Sequence, residues 1–299
     1  MITEAMTNSE YHGETTAVSS SQLKTMLEDP ELFYRKYITK EIAREESSVF
    51  DVGTFFHTAI LEPEKMSDEC AVFGGIRRGK EWEAFKEANA KKTIITKAEH
   101  EQAKALVNAV LASPIAVSIV KSGKAEVSCF VDLIVYQGEV YYHTETMSFF
   151  CLTLRGWEPA AAIGGGVKIR VKVRADLLAD NYVLDLKSTT GNVKSPFTIA
   201  QKVSNYSYDL SAALYLDVFE ASTNKKREFV WTFASKDYGN CRNYVASESN
   251  IRVGRQKWKK AIVLLAKYID NEWTFSDEME YLEPQHYEKS WIKEEDGIL

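Results

Sequence analysis

The chain has 299 residues, 45% apolar and 27% charged, the proportions of a folded globular protein rather than a disordered, collagen-like or disulfide-stapled one. No run of about 18 apolar residues is present, which argues against a membrane span. The polar, acidic stretch from Met1 to Glu10 lacks the basic and apolar blocks of an export signal.

Lys+Arg 37 against Asp+Glu 43 gives a net charge of −6. Nucleic-acid binding would therefore need a local basic surface rather than a whole-molecule field. Cys70, Cys129, Cys151 and Cys241 form no C-x-x-C pair, so a zinc knuckle or iron–sulfur cluster has no local support. With no export signal, a reducing cytoplasm is the expected setting.

In chain order, residues 1–18 read as an irregular lead-in. Ser19, Ser20 and Ser21 precede Leu23, Met26, Leu27, Phe33, Tyr34 and Tyr37, which predicts capped helices broken near Pro30. Residues 48–62 predict a mostly buried helix ending before Pro63. Gly74 to Lys80 form a glycine-rich basic loop, followed by a helix from near Glu81 to about Ala90. Residues 97–121 carry an amphipathic stripe of Ala103, Leu106, Val107, Val110 and Leu111.

The period then falls towards two, with strands expected at 126–136, 139–145, 148–154, 167–178 and 182–187. Ser195-Pro196 opens a helix to about Glu220. A strand at 227–236, a long helix at 243–271 and an acidic, aromatic tail over 272–299 complete the chain. Trp258-Lys259-Lys260 in that helix reads as amphipathic surface, and Tyr206, Tyr208 and Tyr215 read as core rather than as base-stacking groups. This order predicts a single α/β (α+β) domain over residues 1–299.

Residues 167–178 alternate Val167, Ile169, Val171, Val173, Ala175 and Leu177 with Lys168, Arg170, Lys172, Arg174 and Asp176. That is a half-buried strand with a basic face. The following strand puts Asp185 and Lys187 on one face. A two-residue turn at Asp180-Asn181 would set Asp176 opposite Asp185 and Arg174 opposite Lys187. Two opposed carboxylates, about 4.5–5.5 Å apart at Cβ, repel unless a cation sits between them, and hard oxygen donors favour Mg²⁺ or Mn²⁺. A lysine on the same face could hold or deprotonate a water, or stabilise charge on a phosphate oxygen. Taken alone, Asp…Asp-x-Lys is short, and a solvated charged hairpin carries the same pattern.

The wider pattern resembles the PD-(D/E)xK nuclease superfamily. Asp176, then Asp185-Leu186-Lys187-Ser188-Thr189-Thr190, matches its core. Three further stretches resemble the RecE-type branch, the nuclease domain of exonuclease VIII. They are Ser20-Ser21 with Leu23-Lys24, Pro30, Tyr34 and Tyr37; Gly53 to Pro63, with His57; and Arg77-Arg78-Gly79-Lys80 before Trp82. The resemblance runs from about Tyr11 to Glu220.

It implies a restriction-endonuclease-like core, a central mixed sheet flanked by helices, and a metal-dependent exonuclease. Such an enzyme digests one strand of linear double-stranded DNA 5′ to 3′ for single-strand-annealing recombination of the phage type. Carried over, His57, Glu126, Asp176 and Asp185 would be metal-proximal, with the backbone carbonyl of Leu186, and Lys187 would be the catalytic lysine. Mg²⁺, with Mn²⁺ able to substitute, would be the cofactor. Double-stranded DNA ends, a homo-oligomeric ring and a single-strand annealing protein would be the partners. The site would lie in the cytoplasm of a bacterial or phage-infected cell, away from any membrane.

Arg77, Arg78 and Lys80 suit a phosphate-gripping loop, and Lys172 and Arg174 approach the metal site in sequence, where phosphate contacts dominate DNA affinity. Two departures stand out. Ser211 occupies the position where the family pattern carries a glutamine facing DNA, and residues 131–166 read as a β-rich insertion. They keep open a DNA-binding regulator on a nuclease scaffold, and an endonuclease or nickase is a third reading.

Overall fold

The computed structural model of the protein describes residues 2–3, 6–43 and 48–275. The chain begins with β1 (Ile2–Thr3), α1 (Asn8–Gly13), β2 (Ala17–Val18), α2 (Ser20–Glu28), α3 (Pro30–Phe33) and a π-helical turn at Tyr34–Ile38. α4 (Ser48–Leu61), α5 (Met66–Glu69), β3 (Cys70–Phe73), α6 (Gly79–Ala88), β4 (Thr93–Thr96), α7 (Lys97–Leu111) and α8 (Pro114–Val120) follow. Then come β5 (Lys124–Tyr136), β6 (Glu139–His143), β7 (Phe149–Thr153), β8 (Gly156–Ala160), β9 (Val167–Leu178) and β10 (Tyr182–Thr189). The last elements are α9 (Pro196–Asn205), α10 (Tyr208–Thr223), β11 (Glu228–Ser235), β12 (Cys241–Val245) and α11 (Glu248–Asp270).

Local chemistry explains most boundaries. Thr7 with Glu10, Ser19 with Gln22, Thr96 with Glu99 and Ser247 with Asn250 form reciprocal capping boxes at α1, α2, α7 and α11. Ser113 caps α8 with Pro114 at its first position. The helix expected over 97–121 is therefore two helices meeting at 97°, because proline cannot donate to the preceding turn. The helix expected from Pro196 to Glu220 is likewise broken at Tyr206–Ser207.

The lead-in is not irregular, since it holds β1, α1 and β2. Residues 243–245 belong to a strand rather than a helix. There, Asn243 pairs across with Thr232 and its side-chain oxygen accepts from the Thr232 hydroxyl at 2.8 Å. The tail beyond Phe275 lies outside the described residues.

Ten strands make one mixed sheet in the order β12-β11-β10-β9-β5-β6-β7-β8, with β1 pairing β5 and β2 pairing β9. The stretch 131–166 extends this sheet through the antiparallel β5–β6, β6–β7 and β7–β8 pairs. β3 and β4 form a separate parallel pair. One layer of α4, α7 and α8 packs Val52, Phe55, Phe56, Leu106 and Ala116 around Leu186 and Ala234 of the sheet. The opposite layer of α2, α10 and α11 packs Leu23, Leu210, Phe219 and Trp258 with Val171, Val173, Phe229 and Phe233. The expected α/β architecture, a mixed sheet flanked by helices, is the one observed. Among the described residues, no single helix is long and apolar enough to cross a membrane.

The sheet forks at its centre. β9 and β10 pair antiparallel only at Leu178–Val183 and Leu177–Leu184, in the register a turn at Asp180-Asn181 predicts. Further back along β9, Arg170 and Val171 pair with β2 instead. Arg174 and Lys187, expected to face each other, stand beyond the end of the β9–β10 ladder. Asp176 and Asp185 lie just inside the fork.

Candidate metal centre

Four elements converge there. β9 supplies Asp176, β10 supplies Asp185 and Lys187, β5 supplies Glu126, and α4 supplies His57. The β5–β9 register pairs Ala125 with Leu177 and Val127 with Ala175, which places Glu126 level with Asp176. Glu126 has φ +53°. A left-handed residue inside a strand costs about 1–2 kcal/mol, and such strain persists only where neighbours enforce it. The kink turns the Glu126 carboxylate towards its partners. One ligand atom from each of His57, Glu126 and Asp176 lies within 4.8 Å of the other two. His57 Nδ1 is 3.6 Å from Asp176 Oδ2, and the Leu186 N–H donates to that same oxygen at 2.6 Å. Lys187 Nζ bonds Asp185 Oδ1.

Burial, then the neighbouring Asp185, pushes the Asp176 carboxyl up to about 8. Burial and Asp176 likewise raise Glu126, against the opposing Arg174. Burial and Lys187 lower His57, which favours the neutral imidazole. For Lys187, burial opposes the charge, but Asp185 and Asp176 outweigh it and hold the ammonium above its ordinary range.

Two crowded carboxyls whose ionisation is suppressed by burial, next to a neutral imidazole, make a donor set suited to a divalent cation. Added positive charge would relieve the repulsion that raises both acids. The residues therefore fit Mg²⁺ or Mn²⁺. Asp185 borders this group, with its Oδ1 engaged by Lys187.

Several predicted contacts land elsewhere. Lys172 is only 5% exposed, and its ammonium donates to the carbonyls of Tyr11 at 2.7 Å and Glu14 at 2.5 Å. The Arg174 side chain, 9% exposed, binds Glu126. Both are spent inside the protein rather than on a DNA surface, because α1 folds over the face of β9 that the alternation left basic. Arg77 donates to Ile94 O at 2.7 Å and Glu99 Oε2 at 2.9 Å, while Arg78 and Lys80 remain exposed. Ser211 is buried at 8% exposure, too deep for a direct DNA contact. Trp258 is fully buried rather than a surface residue. Tyr206, expected in the core, is 59% exposed.

Two participants carry no catalytic pattern in the sequence. Lys24 of α2 and Lys187 both lie over the Tyr208 ring, at 5.3 and 5.2 Å. Burial, then Lys187, lowers Lys24 to about 8. The second is Tyr11, over which Lys172 and Arg174 stack. Lys24 falls in a stretch that carries the family resemblance, but only the fold brings it to the pocket.

A crystal structure of a presumptive exonuclease from Eubacterium rectale aligns over 95% of this chain and 97% of that one, with a TM-score of 0.58 and 14% identity. That of SSO0001 aligns over 82% of this chain and 85% of that one at a TM-score of 0.27 and 14% identity, too distant to carry an argument. No curated protein matches the sequence. The model of the PDDEXK-like domain of unknown function DUF3799 matches residues 19–284. That span contains His57, Glu126, Asp176, Asp185 and Lys187, and the chain belongs to this PDDEXK-like family.

Proposed function

We propose that this protein is a metal-dependent exodeoxyribonuclease of the RecE type, digesting one strand of linear duplex DNA 5′ to 3′ with Mg²⁺ or Mn²⁺. The observation that carries the reading is the meeting of His57, Glu126 and Asp176 beside the Asp185–Lys187 pair. The likeness of the fold to that of a presumptive exonuclease supports it.

His57, Glu126 and Asp176 would hold a divalent cation, which would supply Lewis-acid charge and acidify a water. The chain's own groups supply the rest. His57, kept neutral by burial and by Lys187, presents a nitrogen lone pair. The Leu186 N–H pins Asp176. Asp185 orients the Lys187 ammonium, which stays charged at neutral pH and so suits stabilising charge on a phosphate oxygen better than taking a proton. Arg78, Lys80 and Lys24 remain as cations for the DNA backbone. In this reading the protein acts in the cytoplasm on double-stranded DNA ends as a homo-oligomeric ring, feeding a single-strand annealing protein.

The test uses linear duplex DNA labelled at either 5′ or 3′ ends, with covalently closed circles in parallel. Mononucleotides released from 5′ ends in Mg²⁺, none in EDTA, and intact circles are expected. Asp176→Ala and Lys187→Ala should each lower turnover by about 10²–10³-fold. Rapid cutting of circles would make the protein an endonuclease or nickase, and binding without cutting would make it a DNA-binding regulator.

A further inference from the structure

We propose that Arg174 is the positioning residue for Glu126, and that the N-terminal segment from Met6 to Glu14 anchors it, so that this segment is part of the metal centre. The proposal rests on the reading of His57, Glu126 and Asp176 as a cation-holding set.

Glu126 would not adopt its present conformation on its own. In an ordinary strand, φ lies near −140°, whereas here it is +53°. Something must hold the carboxylate where the kink delivers it. Arg174 Nε does so, bonding Glu126 Oε2 at 2.5 Å. The arginine takes one carboxylate oxygen and leaves the second available to a cation.

A guanidinium can orient another group only if its own plane is fixed. Arg174 Nη1 donates to Met6 O at 3.0 Å, Thr7 O at 3.5 Å and Ser128 Oγ at 3.1 Å. Its guanidinium lies 5.5 Å from the centre of the Tyr11 ring. Two of these acceptors and the ring belong to the N-terminal segment. That segment is itself locked by the Thr7–Glu10 capping box and pinned to β9 by Lys172, which donates to Tyr11 O and Glu14 O. The chain of contacts therefore runs from the segment to Arg174 and on to Glu126. With these partners and a side chain 9% exposed, Arg174 has no role as a phosphate contact. Its role is to set a ligand.

The experiment measures Mn²⁺ binding to the full-length protein by calorimetry, together with the Mg²⁺ concentration giving half-maximal DNA hydrolysis. Wild type, Glu126→Gln, Arg174→Ala, Arg174→Lys and Tyr11→Ala are compared. Circular dichroism and thermal unfolding without metal confirm that each is folded. Arg174→Ala should weaken Mn²⁺ about 10–100-fold, the usual loss when the partner of a metal ligand is removed, and raise the Mg²⁺ requirement in parallel. Arg174→Lys keeps the charge without the fork and should fall between Arg174→Ala and wild type. Tyr11→Ala should shift affinity in the same direction through the anchor alone. If Arg174→Ala does not fold, Arg174→Lys and Tyr11→Ala carry the test.

Wild-type Mn²⁺ affinity in the folded arginine variants, with Glu126→Gln weakened, overturns the positioning role and leaves the metal centre standing. Failure of the wild type to bind Mn²⁺, or full affinity in Glu126→Gln, takes down the metal-centre reading and this proposal with it.

Discussion

Asp176 behaves unlike a surface aspartate. Its carboxyl is raised from 3.8 to about 8 by burial and by Asp185. Between those values the folded protein holds a proton that the unfolded chain releases, so stability without metal falls as pH rises through that window. A cation needs the ionised form, so Mn²⁺ affinity should climb as pH rises towards and through about 8, with proton release. Calorimetry in buffers of different ionisation enthalpy would read both effects. Asp176→Asn should bind Mn²⁺ weakly, yet resist urea better than wild type at pH 8 in chelator, with the advantage shrinking towards pH 5. Equal urea midpoints for the two proteins at pH 8 would remove the electrostatic account.

At this scale the sequence was partly legible. The alternation of β9 and the spacing of Asp185 and Lys187 placed those side chains on shared faces. The positive φ of Glu126 was not legible, because a glutamate in a strand-like stretch gives no sign of a left-handed backbone. Nor was the capture of Lys172 and Arg174 by backbone carbonyls more than 150 residues away in sequence.

Among the elements, the break between α9 and α10 matters most for substrate. Periodicity predicts one helix from Pro196 onward, since no proline or glycine interrupts it. Instead Ser207 takes φ +46° and folds Tyr206 onto Tyr208, with ring centres 5.4 Å apart and planes 26° from parallel. Tyr208 in turn lies under Lys187 and Lys24. An exposed ring stacked outward from the candidate catalytic lysine suits an unpaired base, and base stacking contributes about 1–3 kcal/mol per base. Tyr206→Ala should therefore weaken binding of single-stranded oligonucleotides about 5–150-fold by fluorescence anisotropy, converting that energy at 1.4 kcal/mol per tenfold. Tyr206→Trp should preserve it. Unchanged affinity in Tyr206→Ala would count against this strand path. The helix α2 was legible from its serine cap, α4 from its apolar run ending before Pro63, and α7 from its amphipathic stripe. The division of 97–121 was written in Ser113-Pro114 but masked by apolar residues on both sides.

For the whole molecule, a buried ionic knot joins the layers. Asp217 of α10 accepts from Arg255 of α11 at 2.7, 2.9 and 3.1 Å and from Trp258 Nε1 at 3.0 Å. Trp157 of β8 donates to Asp217 O at 2.8 Å, and Arg255 donates to Leu154 O at 3.2 Å. The knot therefore ties the strands of 131–166 to the helical layer. Removing one partner leaves a buried charge unpaired, at a cost of about 3–5 kcal/mol. Arg255→Ala should lower the urea midpoint accordingly, whereas Arg252→Ala, at an exposed pair with Glu248, should change stability by less than about 1 kcal/mol. Comparable losses in both variants would contradict the knot's structural weight.

The forked sheet also bears on when the pocket assembles. Its pocket joins strand residues near position 180 to a segment before position 20, and the Lys172–Tyr11 bond alone spans 161 positions. Contacts so distant along the chain form late, since a long loop must close before they contribute. A chain that has not yet added β10 lacks both Asp185 and Lys187. The pocket is thus complete only once β9 and β10 have come together with the segment that holds Tyr11.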